Sequence, residues 1–176
     1  MKHAVRWTSW ALVTVMIGLA LSVQYARMFQ VAVTGKQSES YVVDLRYVET
    51  ETLIPLNSTM GAAKLDQPYT VLVFLSAADC ASCLSSTVDW NALSAVVPVK
   101  GIVVDSSELE GRRFVRDFQP TFPVFVDQGQ LRTAIGLKET PLTVLVDHRQ
   151  MPVLAAGPTA DSTLFVKQVS EVLSRK

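Results

Sequence analysis

The sequence predicts an α/β domain, a central sheet flanked by helices, behind one N-terminal transmembrane helix. Three observations lead there. From Thr70 onward, short β-branched and apolar runs alternate with segments of helical periodicity. Near the N-terminus, Arg6 and Arg27 bracket twenty uncharged residues, Trp7 to Ala26. The only two cysteines, Cys80 and Cys83, stand where an apolar run gives way to a helical pattern.

The N-terminal segment is read first. As a helix, Trp7 to Ala26 measures about 30 Å, the thickness of a bilayer core. Trp7, Trp10 and Tyr25 lie near its two ends, where aromatic rings favour the interface. Lys2 and Arg6 precede it, which predicts a cytoplasmic N-terminus and an extracytoplasmic domain. A cleaved signal peptide has the same polarity, with Ala20-Leu21-Ser22 the nearest small-x-small site. Both readings put the cysteines where disulfides persist. The expected organisation is an anchor or signal peptide over 1–27, a linker over 28–40 and one domain over 41–176.

Within that domain, Tyr41 to Val48 has strand composition, and Glu49 to Gln67 suggests a further N-terminal strand or hairpin between Pro55, Asn57 and Gly61. Thr70 to Leu75 is a buried strand. Cys80 to Ala95 is a helix with Leu84, Val88 and Leu93 among its apolar positions. Val96 to Val104 ends in a strand. Ser106 to Phe118 is a helix opened by a capping signal and acidic first-turn residues, with Leu109, Phe114 and Val115 on its apolar side. Phe122 to Val126 is a short strand, and Gln130 to Ile135 a short helix stopped by Gly136. Leu142 to Val146 and Met151 to Ala155 are strands. Ala160 to Leu173 closes as an amphipathic helix with Leu164, Phe165, Val169 and Val172 facing inward. Helices are expected on both faces of the sheet.

Sixteen basic residues offset sixteen acidic ones without a long charge run. Nothing in that balance indicates a nucleic-acid partner. Apolar residues make up 49 % of the chain, ample for a core. The chemistry therefore rests on Asp79-Cys80-Ala81-Ser82-Cys83. Two thiols one helical turn apart can close and reopen a small ring. A first thiol at a helix start meets unpaired N–H groups that favour its thiolate, the species that exchanges with disulfides. An inert staple is the alternative, but a ring this short stabilises by only roughly 2 kcal/mol.

Four stretches together resemble the thioredoxin-like superfamily, and within it the membrane-anchored TlpA/ResA-like branch. They are the strand–CxxC–helix unit of Val71 to Leu84, the helix–strand–helix run of Phe114 to Leu137, the Thr140-Pro141 strand opening of Glu139 to Asp147, and the terminal helix. The resemblance implies a thioredoxin-like fold with a mixed sheet. It implies a redox-active Cys80–Cys83 disulfide and no other cofactor. Cys80 would be the attacking thiol and Cys83 the resolving one. Pro141 would be a cis-proline beside the disulfide, and Thr140 would offer backbone groups to an extended partner chain. The implied enzyme is a thiol-disulfide oxidoreductase of the inner membrane, its domain in the periplasm. Its partners would be protein disulfides or dithiols, a membrane electron donor, and the bilayer through residues 7–26. The contrasting reading is a non-catalytic, membrane-tethered interaction module or redox sensor with a static disulfide.

The chain departs from that family at Asp79, where tryptophan is common, at Phe74, where a buried acid or amide is common, and at Ala81-Ser82 between the thiols. Ser82 is placed to donate a hydrogen bond to a sulfur or to water. Metal binding is not expected: zinc wants four ligands, and besides the two thiols there are only His3, before the anchor, and His148, in a turn. Trp90 reads as core or helix surface, and Asp105 and Asp127 as caps or turn residues.

Asp79 yields a prediction. A helix N-terminus favours a neighbouring anion by about 0.3–1 kcal/mol. A carboxylate some 4 Å away opposes it by about 1 kcal/mol in watery surroundings. Titrating thiolate absorbance against pH should therefore show a Cys80 midpoint less depressed from the ordinary thiol value of about 8.5 than in strongly oxidising relatives. A midpoint several units lower would contradict this balance.

Overall fold

The structure is a computed structural model, and it describes residues 2–34, 40–48, 53–58, 67–77, 87, 89–127, 129–158 and 160–175. A six-stranded mixed sheet has the order β3-β6-β5-β4-β7-β8. Its strands are β3 (Ile54–Pro55), β4 (Tyr69–Ser76), β5 (Val99–Val104), β6 (Val124–Val126), β7 (Leu142–Asp147) and β8 (Pro152–Ala156). The three central strands β6, β5 and β4 run parallel; β7 turns back along β4, β8 along β7, and β3 along β6.

β4 shows why this sheet forms. Val71 to Ser76 are buried without a break, the pattern of a strand covered on both faces. Val71, Val73 and Leu75 point to one core, while Leu72 and Phe74 point to the other. The first core is closed by three helices: α2, of which residues 87 and 89–94 are described, α3 (Glu108–Phe118) and α5 (Ser162–Ser174). The second is closed by a hairpin of β1 (Gln30–Thr34) and β2 (Ser40–Asp44), together with the five-residue helix α4 (Leu131–Ile135). So one face is roofed by helices, and the other mainly by a two-stranded ribbon where a helical layer was expected.

That hairpin corrects the N-terminal expectations. β1 lies inside the segment read as a linker, and among the described residues of the segment expected to hold a strand or hairpin, β3 is a strand two residues long. Asn57 extends this edge with its side chain: Oδ1 accepts from the Val124 N–H at 2.8 Å, and Nδ2 donates to the Phe122 carbonyl at 3.0 Å. The strand expected over Tyr41 to Val48 stops at Asp44, because the Asp44 carboxylate accepts from the Arg46 N–H at 3.1 Å and opens a 3-10 turn, Leu45–Tyr47.

Two helix faces also differ from expectation. Leu109 is 60 % exposed and Leu164 53 % exposed. The face of α3 that enters the core carries Gly111 and Phe114, and Leu109 lies about 140° round the helix from Phe114. In α5, Phe165 and Val169 define the buried stripe, and Leu164 sits about 100° off Phe165. Elsewhere the local signals operate as read. Ser107 and Glu110 form a reciprocal capping box at the start of α3, and Gly136, at φ 71°, ends α4 in the left-handed region.

The expected anchor, Trp7 to Ala26, is helical throughout, within α1 (Lys2–Met28). Among the described residues, however, no helix is long and apolar enough to cross a membrane. The apolar stretch is diluted by Thr8, Ser9, Thr14, Ser22 and Gln24.

Candidate active site

The site is approached along β4. Its last residues run through buried Ser76 to Ala77. The Ala77 N–H donates to Ser106 Oγ at 3.3 Å, and that hydroxyl donates to the Val104 carbonyl at 3.1 Å. One side chain thus ties the C-terminal ends of β4 and β5, where open parallel sheets place their sites. Asp79, Cys80, Ala81, Ser82 and Cys83 follow directly and lie outside the described residues.

Thr140 and Pro141 reach the same end of the sheet from the other side. The β4–β7 pairing runs from Tyr69 opposite Asp147 to Phe74 opposite Leu142. Pro141 precedes Leu142, so it sits beside the C-terminal end of β4. The Thr140–Pro141 peptide bond is cis, and both residues are buried. Phe74 is fully buried among apolar neighbours.

Over this corner lies Trp90, on α2. Its indole N–H donates to Thr143 Oγ1 at 3.2 Å, and the two residues are 3 % and 6 % exposed. Trp90 is therefore core, with its one polar atom satisfied. Asp89, Trp90, Pro141, Thr143 and Ser162 line a small cleft, closed at its rim by a hydrogen bond from the Ser162 hydroxyl to the Asp89 carboxylate.

The remaining candidates sort by their contacts. Asp127 accepts from the Gly129 and Leu131 N–H groups at 3.1 and 2.8 Å, which fastens the turn into α4. His148 is exposed in the β7–β8 turn. Asp105 adopts a positive φ of 52° just after β5 and pairs with Arg132. Tyr41, buried in the hairpin, donates its hydroxyl to the Glu139 carbonyl at 3.4 Å. Burial raises its phenol above the ordinary 10.0, partly offset by that bond, so it is the donor at neutral pH. Arg132, Tyr41 and Thr143 carry little mark in the sequence of their contacts near this corner. For Thr143 the signal was a lone hydroxyl in an otherwise apolar strand. The Asp105–Arg132 pair spans twenty-seven positions, and no local spacing marks it.

Comparison with solved structures now bears on this arrangement. The chain resembles a protein assigned as thiol:disulfide interchange protein DsbE, from Chlorobium tepidum (21 % identity, 82 % of this chain and 94 % of that one, TM-score 0.53). It also resembles a thioredoxin-like protein from Aeropyrum pernix (16 %, 90 % and 99 %, TM-score 0.53). A third is dsbF of MTB, solved in mixed oxidized and reduced forms (17 %, 84 % and 97 %, TM-score 0.52). The fold is thioredoxin-like. No protein-family model and no curated protein matches the sequence, so the likeness is one of architecture. Within that fold, the end of β4 meets Thr140–Pro141 beneath Trp90.

Trp90 and Thr143 make this corner testable. Thr143→Val keeps the shape but strips the acceptor from a buried N–H. Denaturant unfolding should show a loss of about 1–3 kcal/mol, the cost of an orphaned buried donor. Unchanged stability would mean that the indole N–H finds another partner.

Proposed function

We propose that this chain is a thiol-disulfide oxidoreductase, held at the extracytoplasmic face of a membrane, that exchanges the Cys80–Cys83 dithiol with protein disulfides. The observation that carries the reading is the corner itself. The end of β4 and the Thr140–Pro141 segment share one end of the sheet. Cys80 is three residues beyond Ala77, and three peptide steps of about 3.8 Å reach no further than roughly 11 Å. So short a connection supports a reading in which Cys80 works at the end of the sheet that Thr140–Pro141 shares.

In the cycle, the Cys80 thiolate attacks one sulfur of a partner disulfide. A mixed disulfide forms, and the partner's other sulfur leaves as thiolate. The Cys83 thiolate then attacks the Cys80 sulfur, and the partner's second thiolate departs. Two electrons have passed to the partner, and Cys80–Cys83 is oxidised. A membrane dithiol donor restores the pair by the same exchange in reverse. Cytochrome maturation, amine-dehydrogenase maturation and general disulfide reduction all present suitable protein disulfides.

The membrane location draws support from α1. Val15, Met16, Ile17, Leu19, Leu21 and Val23 are all exposed, on every side of the helix. Exposed apolar side chains uncovered by protein suit a lipid surface, and Lys2 and Arg6 support the orientation.

Insulin reduction by dithiothreitol tests the reading. Wild type should accelerate precipitation, Cys80→Ser should abolish the acceleration, and Cys83→Ser should accumulate mixed disulfides with partners in cells. Equal rates for wild type and Cys80→Ser, with no trapped adducts, would leave a tethered module with a static disulfide.

A further inference from the structure

The joint between α1 and the domain is a single residue. α1 ends at Met28, Phe29 makes the turn, and β1 begins at Gln30. From there every residue of β1 pairs with β2, from Gln30 opposite Asp44 to Thr34 opposite Ser40. The joint itself is bonded into the domain: the Phe29 carbonyl accepts from the Leu45 N–H at 3.0 Å. Across it, the rings of Tyr25 and Phe29 meet edge to face at 5.4 Å. Val33, Tyr41, Val43 and Leu45 are buried in the second core. The helix is thus continuous with a ribbon that the core holds. A flexible tether over 28–40 would let its ends range over about 20 Å. One turn residue leaves α1 little of that freedom.

Before the joint, α1 stands clear of the domain. Every residue from 15 to 25 is exposed. Val15, Met16 and Ile17 lie about 100° apart round the helix and are each more than half exposed, so a cover on one side alone would leave part of them in water.

The chemistry changes at the joint. Trp7 to Ala26 is uncharged, and Arg27 is the next charge. Arg27 is exposed in the last turn of α1 and has no ion pair among the described residues. Arg46, by contrast, is paired with Asp44. Tyr25, Met28 and Tyr47 stand 63 %, 53 % and 54 % exposed. Tyr47 follows Leu45 by two residues, so it lies within about 8 Å of the residue bonded to Phe29. Two tyrosines, one from the helix and one from the domain, therefore flank the point where apolar sequence gives way to charged. Phenol rings with an apolar body and a polar tip, beside an arginine long enough to reach a phosphate, suit a membrane–water boundary.

We propose that this joint is a phospholipid-headgroup contact: Tyr25, Met28 and Tyr47 lie in the interfacial layer, Arg27 meets a lipid phosphate, and the domain sits on the bilayer in one attitude. This rests on the membrane location put forward above, and adds the surface of the domain that meets the lipid. The ribbon carries the consequence to the site. Tyr41 stands three residues from Asp44, about 10 Å along β2, and its hydroxyl holds the Glu139 carbonyl, two residues before Pro141. The Pro141 end of the sheet is thereby held near the bilayer.

Radiolytic hydroxyl-radical oxidation, read by mass spectrometry, tests this on the unmodified full chain. The chain is placed in vesicles of phosphatidylcholine and phosphatidylglycerol, and each residue is compared with itself in the urea-unfolded chain. Met16, Tyr25, Met28 and Tyr47 should be oxidised several-fold more slowly than when unfolded. His148, exposed in the β7–β8 turn, should keep close to its unfolded rate. A protected Met16 with Tyr47 near its unfolded rate leaves the chain in lipid and overturns the seated joint alone. Protection of Tyr47 that fades as the chain is diluted in lipid marks a second copy as its cover, and also overturns the proposal. Met16 near its unfolded rate removes the membrane reading, and this proposal with it.

Discussion

The antiparallel pairing of β4 with β7 is the constraint on which the rest of the molecule depends. It brings residues about seventy positions apart to one corner, with Phe74 opposite Leu142. Its register is not set by apolar alternation, because β4 is buried on both faces and presents almost nothing polar to choose between them. A slip of one residue would exchange the two faces of β7. The marker that breaks the degeneracy is Thr143, which faces the helical layer and accepts from Trp90. Slipped by one, Leu142 or Val144 would stand beneath the indole N–H, and the hydroxyl would enter the all-apolar core on the other face. One neutral hydrogen bond therefore distinguishes registers that packing alone would leave close in energy.

The two faces of the sheet then do different work. The helical face, with Trp90, Leu93, Phe114, Phe165 and Val169, is a dry core that gives the domain its stiffness. The ribbon face holds the hairpin and α4, and the side chains that reach from it to the Thr140 segment are Tyr41 and Arg132. The polar groups at the site end of the sheet are satisfied locally: Ser106 by Ala77 and Val104, and Asp127 by the turn into α4.

Legibility in the sequence followed the range of the interaction. β4, β5, β7 and α3 were readable because their signals are local: buried β-branched runs, a capping box, and Gly136 after α4. β1 was hidden because Gln30 to Thr34 becomes a strand only by pairing with β2, and alone it reads as a tether. The strand expected within Glu49 to Gln67 is met by β3, and Asn57 extends that edge with its side chain. Leu109 and Leu164 were read inward because an apolar residue at the margin of a stripe looks, in one dimension, like one in its centre. The cis bond at Thr140–Pro141 was legible through a motif that resembles that of a known family. Arg132 was not, since its partners are carbonyls and a distant aspartate that no spacing reveals. Asp79, Cys80, Ala81, Ser82 and Cys83 lie outside the described residues.

The proposed function requires the sulfur of Cys80 to meet the ring of Pro141. Through-space proton cross-peaks in NMR spectra of the reduced full chain in micelles read this contact without recourse to activity. The account predicts cross-peaks between the Cys80 β-protons and the Pro141 ring protons. Cys80 β-protons that couple only to residues remote from β7 would contradict it.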